Sequence, residues 1–228
     1  MTSQLSPQEC FGEIDIYLFD QLLKGRITPD KRLLDAGCGG GRNIIYFLRS
    51  SYDIYGVDQS SGAIAQVREL AAALAPHLSS DNFRVESVEQ MSFADASFDV
   101  LISSAVLHFA RDEEHWHRMV DDMWRVLKPG GIFFARLASS IGIQEKIELL
   151  EGRRYHLPDG SDRFLVDEEM LRSKTVSLGG EWLDPFKTVV VANLRSMSNW
   201  CLRKTWRHQI LDPSAARNYN VGHENPNR

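Results

Sequence analysis

Residues 31–61 read KRLLDAGCGGGRNIIYFLRSSYDIYGVDQSS, and three changes of texture within them decide the fold. Arg32–Ala36 is a short apolar run that ends among glycines, which reads as a strand entering a tight turn. Arg42–Ser50 then sets Ile44, Ile45, Phe47 and Leu48 at helical spacing. Asp53–Val57 is a second apolar run, and it ends on Asp58. Strand, turn, helix, strand is the opening of an alternating α/β pattern.

The alternation continues downstream. Ser60 or Ser61 caps a helix whose apolar face is Ile64, Val67, Leu70, Ala71 and Leu74. Phe83–Glu86 reads as strand three and Phe98–Ser103 as strand four. Glu113–Leu127 is a helix with Trp116, Met119, Val120, Met123, Trp124 and Leu127 at core spacing. Pro129-Gly130-Gly131 stops it, and Ile132–Leu137 is strand five. This order predicts an α/β fold with a doubly wound parallel sheet, whose ligand sits beyond the C-terminal strand ends at the topological switch point. The last third differs: Tyr155–Leu165 reads as a hairpin around Pro158-Asp159-Gly160, and Phe186–Val191 and Met197–Arg203 as late strands. Before the first strand, Phe11–Leu23 carries Phe11, Ile14, Tyr17, Leu18 and Leu22 at helical spacing. The polar stretch from about Asp212 to Arg228 is expected to fray or to cross the surface.

The bulk properties narrow the class. The chain has 228 residues, 43% hydrophobic and 25% charged, enough for one sizeable core. A net charge of −5 argues against non-specific nucleic-acid binding, which needs a basic footprint. The N-terminus lacks a signal-peptide pattern, and no apolar run approaches the roughly 20 residues that span a bilayer. Cys10, Cys38 and Cys201 are odd in number and far apart, giving neither a disulfide framework nor a metal clip. A cytoplasmic protein without membrane insertion or a structural metal is expected.

The chemistry lies in Asp35–Gly41. Glycines directly after a strand let the backbone turn sharply and approach a ligand closely. The other reading is a tight turn with no ligand. Asp58, ending the second strand about twenty residues on, is placed to accept both hydroxyls of a ribose, or to cap the next helix. Loop and acid together select an adenosine-containing ligand. A nicotinamide loop would carry a third glycine or alanine where Arg42 stands, and would not open on an acid such as Asp35.

These residues resemble a known family. LLDAGCGGGRN (Leu33–Asn43) resembles the first motif of class I S-adenosylmethionine-dependent methyltransferases, and YGVDQS (Tyr55–Ser60) the second. FDVLISSAVLHF (Phe98–Phe109) resembles their fourth-strand motif and WRVLKPGGIFFARL (Trp124–Leu137) their fifth. The small-molecule branch is the nearest in flavour, similar to ubiquinone-biosynthesis and tellurite-resistance enzymes. The resemblance implies a seven-stranded, doubly wound Rossmann-like sheet with an N-terminal helical cap and a hairpin insertion after strand five. One domain would span 1–228: core about 31–137, cap about 8–25, substrate-side insertion about 139–175, C-terminal strands about 180–204.

For the cofactor, S-adenosylmethionine, the resemblance implies that Gly37, Cys38 and Gly39 approach the methionine part. Asp35 would support the loop and face the ammonium, Asp58 would bind the ribose, and Gln59 would lie near the adenine. Where the family often has an Asp for the adenine amino group, this chain has Ser87, followed by Val88 and Glu89. Ser104 would line the methyl region. The implied activity is in-line methyl transfer to a small molecule, with two alternatives: a non-catalytic cofactor-binding partner subunit, or a nicotinamide-dependent oxidoreductase.

Acceptor-side candidates lie outside those motifs. His108 follows strand four and is either a proton acceptor or a loop-bonding residue. Tyr17 belongs to a lid, or to a helix that simply covers the sheet. Arg136, inside an apolar strand, is either an anion anchor or half of a salt bridge. Arg153, Arg154 and Arg163 flank the hairpin that holds Tyr155 and His156; together these are either a basic, aromatic cover for an acidic acceptor or a solvated charged hairpin. His115 and His117 are expected to face solvent, Asp99 to be structural, and Trp182 and Trp200 to be core. The sequence leaves the oligomeric state open.

Overall fold

In this computed structural model, residues 6–206 are described. The polar stretch from Asp212 onward lies outside them. The helix expected over Phe11–Leu23 is two helices, α1 (Pro7–Phe11) and α2 (Ile16–Leu23). Gly12 breaks it with a φ of 61°, at a point where a β-carbon would lie 2.5 Å from Ile45. Asp15 then starts α2 afresh, its carboxylate accepting the Tyr17 amide at 3.0 Å.

The chain continues through β1 (Arg32–Ala36), α3 (Ile45–Arg49), β2 (Asp53–Asp58), α4 (Ser61–Leu74) and β3 (Phe83–Val85). β4 (Phe98–Ser104), α5 (Glu113–Val126) and β5 (Leu127–Ala138) follow. Ser60, rather than Ser61, caps α4. α3 starts three residues later than expected, because Gly41–Ile44 form a turn closed by the Ile44 amide on the Gly41 carbonyl. β5 starts five residues earlier: Leu127 is already extended and pairs with Phe98 across an irregular register. Pro129-Gly130-Gly131 thus lies inside the strand as a kink, after α5 has ended.

After β5 come β6 (Glu148–Glu151), β7 (Arg154–His156) and β8 (Asp162–Phe164), an antiparallel three-stranded flap where a two-stranded hairpin was expected. Then follow α6 (Glu168–Leu178), β9 (Gly180–Trp182), β10 (Lys187–Val191) and β11 (Arg195–Lys204). The main sheet runs β10-β11-β5-β4-β1-β2-β3, the expected seven strands, and short β9 adds an eighth beside β11. β1 to β5 are parallel, while β11 runs antiparallel to β5 and β10.

β1 is flanked by β2 and β4, so the strand order reverses there and opens a crevice at the C-terminal ends. Period-two alternation sorts the strand residues onto two faces. Leu34, Phe133 and Trp200 pack against α5 and α6, where Trp200 stacks on Trp116 with centroids 5.9 Å apart. Leu33, Ile102 and Phe134 pack against α2, α3 and α4. Asp35, Ser104 and Arg136 continue the second alternation, which carries polar groups into the crevice end of an apolar layer. Among the described residues no helix is long and apolar enough to cross a membrane, and no His/Cys/Asp/Glu group could hold a metal.

Candidate active site

A cavity of about 1000 Å³ opens at the crevice. Its floor is the loop after β1. Gly37 has a φ of 85° and lies so close to Val106 that a β-carbon would approach a Val106 methyl to 2.4 Å. Gly39 differs: its φ is 52°, yet nothing lies within 4 Å of where its β-carbon would be. That open side allows a ligand to rest against bare backbone. The amides of Gly37 and Cys38 donate to the Val57 carbonyl at 2.8 and 2.9 Å, and the Gly39 amide to Asp58 Oδ2 at 3.0 Å. The loop therefore offers shape more than free donors.

Asp58 ends β2 and lines the cavity with Gln59. Its two oxygens accept from the Gly39 and Ser60 amides at 3.0 and 2.9 Å. The carboxylate is thus held in one orientation, and each oxygen keeps a lone pair for a further donor. Ser87, Val88 and Glu89 line the wall after β3, and Ser104 the wall after β4. Asp35, two residues before Gly37, is not on the cavity lining but is buried beneath the loop with neither oxygen bonded. Burial pushes its carboxyl up to about 7, against the opposing pull of Arg42 and with the push of Asp58. A buried carboxyl without a partner beneath such a loop fits a cationic ligand group.

The acceptor-side candidates do not converge on the cavity. His108 is buried outside it, its ring against Phe109 at 4.6 Å and its Nδ1 unpartnered. Burial, with Arg163 and Arg195 nearby, lowers its pKa to about 4. Arg136 donates to Asp15 Oδ2 at 2.7 Å, and its guanidinium lies 5.3 Å from the Tyr17 ring centroid. The salt-bridge reading thus describes Arg136, and Tyr17 packs beside that pair. Arg153 pairs with Asp167 at 2.9 Å and His156 with Asp162 at 2.6 Å, while Tyr155 packs toward Leu157 and Leu165. Of the hairpin residues, Arg163 alone reaches toward the cavity, over the Phe109 ring at 4.8 Å.

Other residues line the cavity instead. Arg42 donates to Ser104 Oγ at 3.1 Å and lies 4.0 Å from Asp15. Glu13 comes from the turn between α1 and α2, and Phe109 and Arg111 from the segment after β4. His115, expected in solvent, is buried on the cavity wall. Its Nδ1 accepts the Arg111 amide at 3.1 Å, and its Nε2 lies 3.1 Å from Glu89 Oε1. The signal for it was present, since His115, Met119 and Met123 share one helical stripe. Asp99 meets its expected structural role, accepting the Arg32 amide at 3.0 Å and pairing with Lys128 at 2.9 Å.

Comparison with known proteins agrees with this geometry. Residues 34–135 match the model of a methyltransferase domain family. An uncharacterized methyltransferase of Synechocystis is 30% identical over 107 residues, 47% of this chain and 47% of that protein. The chain thus spans about half the length of that relative. A ubiquinone biosynthesis O-methyltransferase of Sinorhizobium medicae is 29% identical over 181 residues, covering 76% of this chain and 68% of that one. In fold, the chain is similar to a SAM-dependent methyltransferase of Methanosarcina mazei, with a TM-score of 0.66 at 21% identity over 81% of this chain and 98% of the other. The motif order, the β1 loop and the strand order thus agree with a methyltransferase domain over residues 34–135, the part of the chain that the family model matches.

Proposed function

We propose that this chain transfers the methyl group of S-adenosylmethionine to a small-molecule acceptor by in-line displacement, working as the single domain laid out above and in the cytoplasm. The observation that carries the reading is the pairing of an open glycine face at Gly39 with the fixed carboxylate of Asp58 and the unpartnered carboxyl of Asp35. Asp58 would take the ribose hydroxyls, Asp35 the ammonium, and Gln59, Ser87 and Val88 the adenine region. Cys38, buried beside Gly56, keeps the loop seated on β2.

When bound, the sulfonium supplies an already activated methyl group, so the chain's own task is placement. Ser104 and Arg42 face the region above β1 and β4, where an acceptor would be aligned and water excluded. His108 is a poor general base on this geometry, being off the cavity and strongly disfavoured as a cation.

Calorimetric titration with S-adenosylmethionine, S-adenosylhomocysteine and NAD tests the cofactor. Tight binding of the adenosyl ligands and not of NAD is expected, and the reverse sinks the reading. Asp58→Ala should weaken S-adenosylhomocysteine binding by about 1–3 kcal/mol, the cost of stranding hydrogen-bonded groups. Unchanged affinity in a folded variant would mean that Asp58 only braces the loop. Labelled methyl transfer to candidate metabolites separates an enzyme from a silent subunit.

A further inference from the structure

Two arginines lie at one part of the cavity: Arg111 lines its wall, and Arg163, outside the lining, lies over Phe109, which does. Phe109 lines the mouth with 58% of its surface exposed, a large fraction for a phenyl ring on a cavity wall. Arg163 lies over that ring at 4.8 Å and spends one N–H on the neighbouring Asp162 carbonyl. Among the described residues no carboxylate forms an ion pair with Arg163 or with Arg111, which lines the same wall. Asp159 is near enough to feel Arg163 and Arg195, but its carboxylate is held by the Ser161 amide and hydroxyl at 3.0 and 2.6 Å.

Among the described residues, none of the acids of the cavity wall forms an ion pair with either arginine. Asp58 is beside the glycine loop, Glu89 is 3.1 Å from His115, and Glu13 belongs to the N-terminal turn. A guanidinium over an exposed ring, with no carboxylate paired to it, has N–H groups left for planar oxyanions, and the ring supplies an apolar wall beside it. His108, uncharged in its buried site near Arg163 and Arg195, adds no competing charge.

We propose that Arg163, Arg111 and the face of Phe109 form an anion-recognition subsite for the methyl acceptor, which therefore carries a carboxylate or phosphate next to a flat apolar group. This rests on the methyltransferase reading above. It narrows the basic cover expected around the hairpin to one arginine of the flap and one of the β4–α5 segment. The site orients the acceptor and takes no part in the displacement.

The test uses the full chain saturated with S-adenosylhomocysteine, titrated with benzoate, phenyl phosphate, benzamide and benzylamine. The expected result is that an anionic probe binds at least tenfold more tightly than benzamide, and that benzylamine is weakest. Preference between benzoate and phenyl phosphate identifies the anion. Arg163→Gln and Arg111→Gln should each erase most of that preference while S-adenosylhomocysteine affinity stays within twofold. Arg163→Lys should restore part of it. Equal or better binding of benzamide or benzylamine, no binding by any probe, or a preference that survives both Gln variants overturns the proposal. Failure of S-adenosylhomocysteine itself to bind would instead overturn the cofactor reading, so the two failures are distinct.

Discussion

On the proposed reading, in which Asp35 faces the cofactor's ammonium, binding changes the charge state of that carboxyl. The buried carboxyl, raised to about 7 by desolvation, is the neutral acid over much of the acidic range in the free protein. An ammonium favours the carboxylate, so binding must expel that proton below pH 7. S-adenosylhomocysteine affinity should therefore fall about tenfold per pH unit below about 7 and level off above it. The same shift has a stability sign. The pKa is raised in the folded state, so the contribution of Asp35 to folding is complete below the ordinary carboxylate value and is lost as pH rises through about 7. Asp35→Asn should flatten both dependences, read by calorimetry and by thermal melts from pH 4 to 8.5. A wild-type affinity that is flat from pH 5.5 to 7 would place the ammonium elsewhere. That Gly37, Gly39 and Asp58 meet at one cavity was legible because it depends on a spacing along one short stretch of chain. His108 was not, because its position off the cavity depends on how the segment after β4 turns inward.

The N-terminal elements show the same contrast at the next scale. Asp15 starts α2, and its buried side chain also receives Arg136 at 2.7 Å and the Ser104 hydroxyl at 3.3 Å, while its amide donates to Asn43 Oδ1 at 3.0 Å. One acid thus joins α2, β4, β5 and the turn after β1. The helical spacing of Phe11–Leu23 hid this, since Gly12 and Asp15 interrupt a pattern that looks continuous in apolar residues alone. The partner of Arg136 lies 121 positions away, beyond the reach of any periodicity. Removing one member of a buried pair strands the other, at a cost of roughly 3–5 kcal/mol. Arg136→Ala is accordingly expected to lower unfolding free energy by about 3 kcal/mol in urea titration, since Arg136 keeps some exposure. Asp15→Ala should also raise hydrogen exchange in α1 and α2. A variant Arg136→Ala with wild-type stability and only a raised acceptor KM would make the arginine an acceptor anchor after all.

Across the whole molecule, stability is distributed unevenly, and function follows that division. The sheet is gripped on both faces: Trp200 stacks on Trp116, meets Phe133 edge-on at 5.3 Å and donates its indole N–H to Thr175 at 2.9 Å. The flap of β6 to β8 rests on a small apolar cluster of Ala138, Leu157 and Leu165 and, through Phe164 stacked on Trp116 at 6.3 Å, on the main core, while all four residues of β6 are exposed. Its attachment is the bridge between Ser139 and Val166, with the Ser140 amide on the Val166 carbonyl at 2.9 Å. The sheet order was readable from strand–helix alternation because each element must bury an apolar face. The flap's third strand was not, since Glu148–Glu151 buries none. Little buried apolar area means a low opening free energy. Amides of β6 and its turn to β7 should therefore exchange through local opening, well before those of β4, β5 and β11, which should exchange only on global unfolding. Adding S-adenosylhomocysteine should slow exchange in the β1 loop and leave the flap nearly unchanged, because among the described residues none of 148–164 lines the cavity. A further anionic probe should then protect β8. Amides of β6 as slow as those of β5 in the free protein would show that β6 is part of the cooperative core and not a separately opening cover.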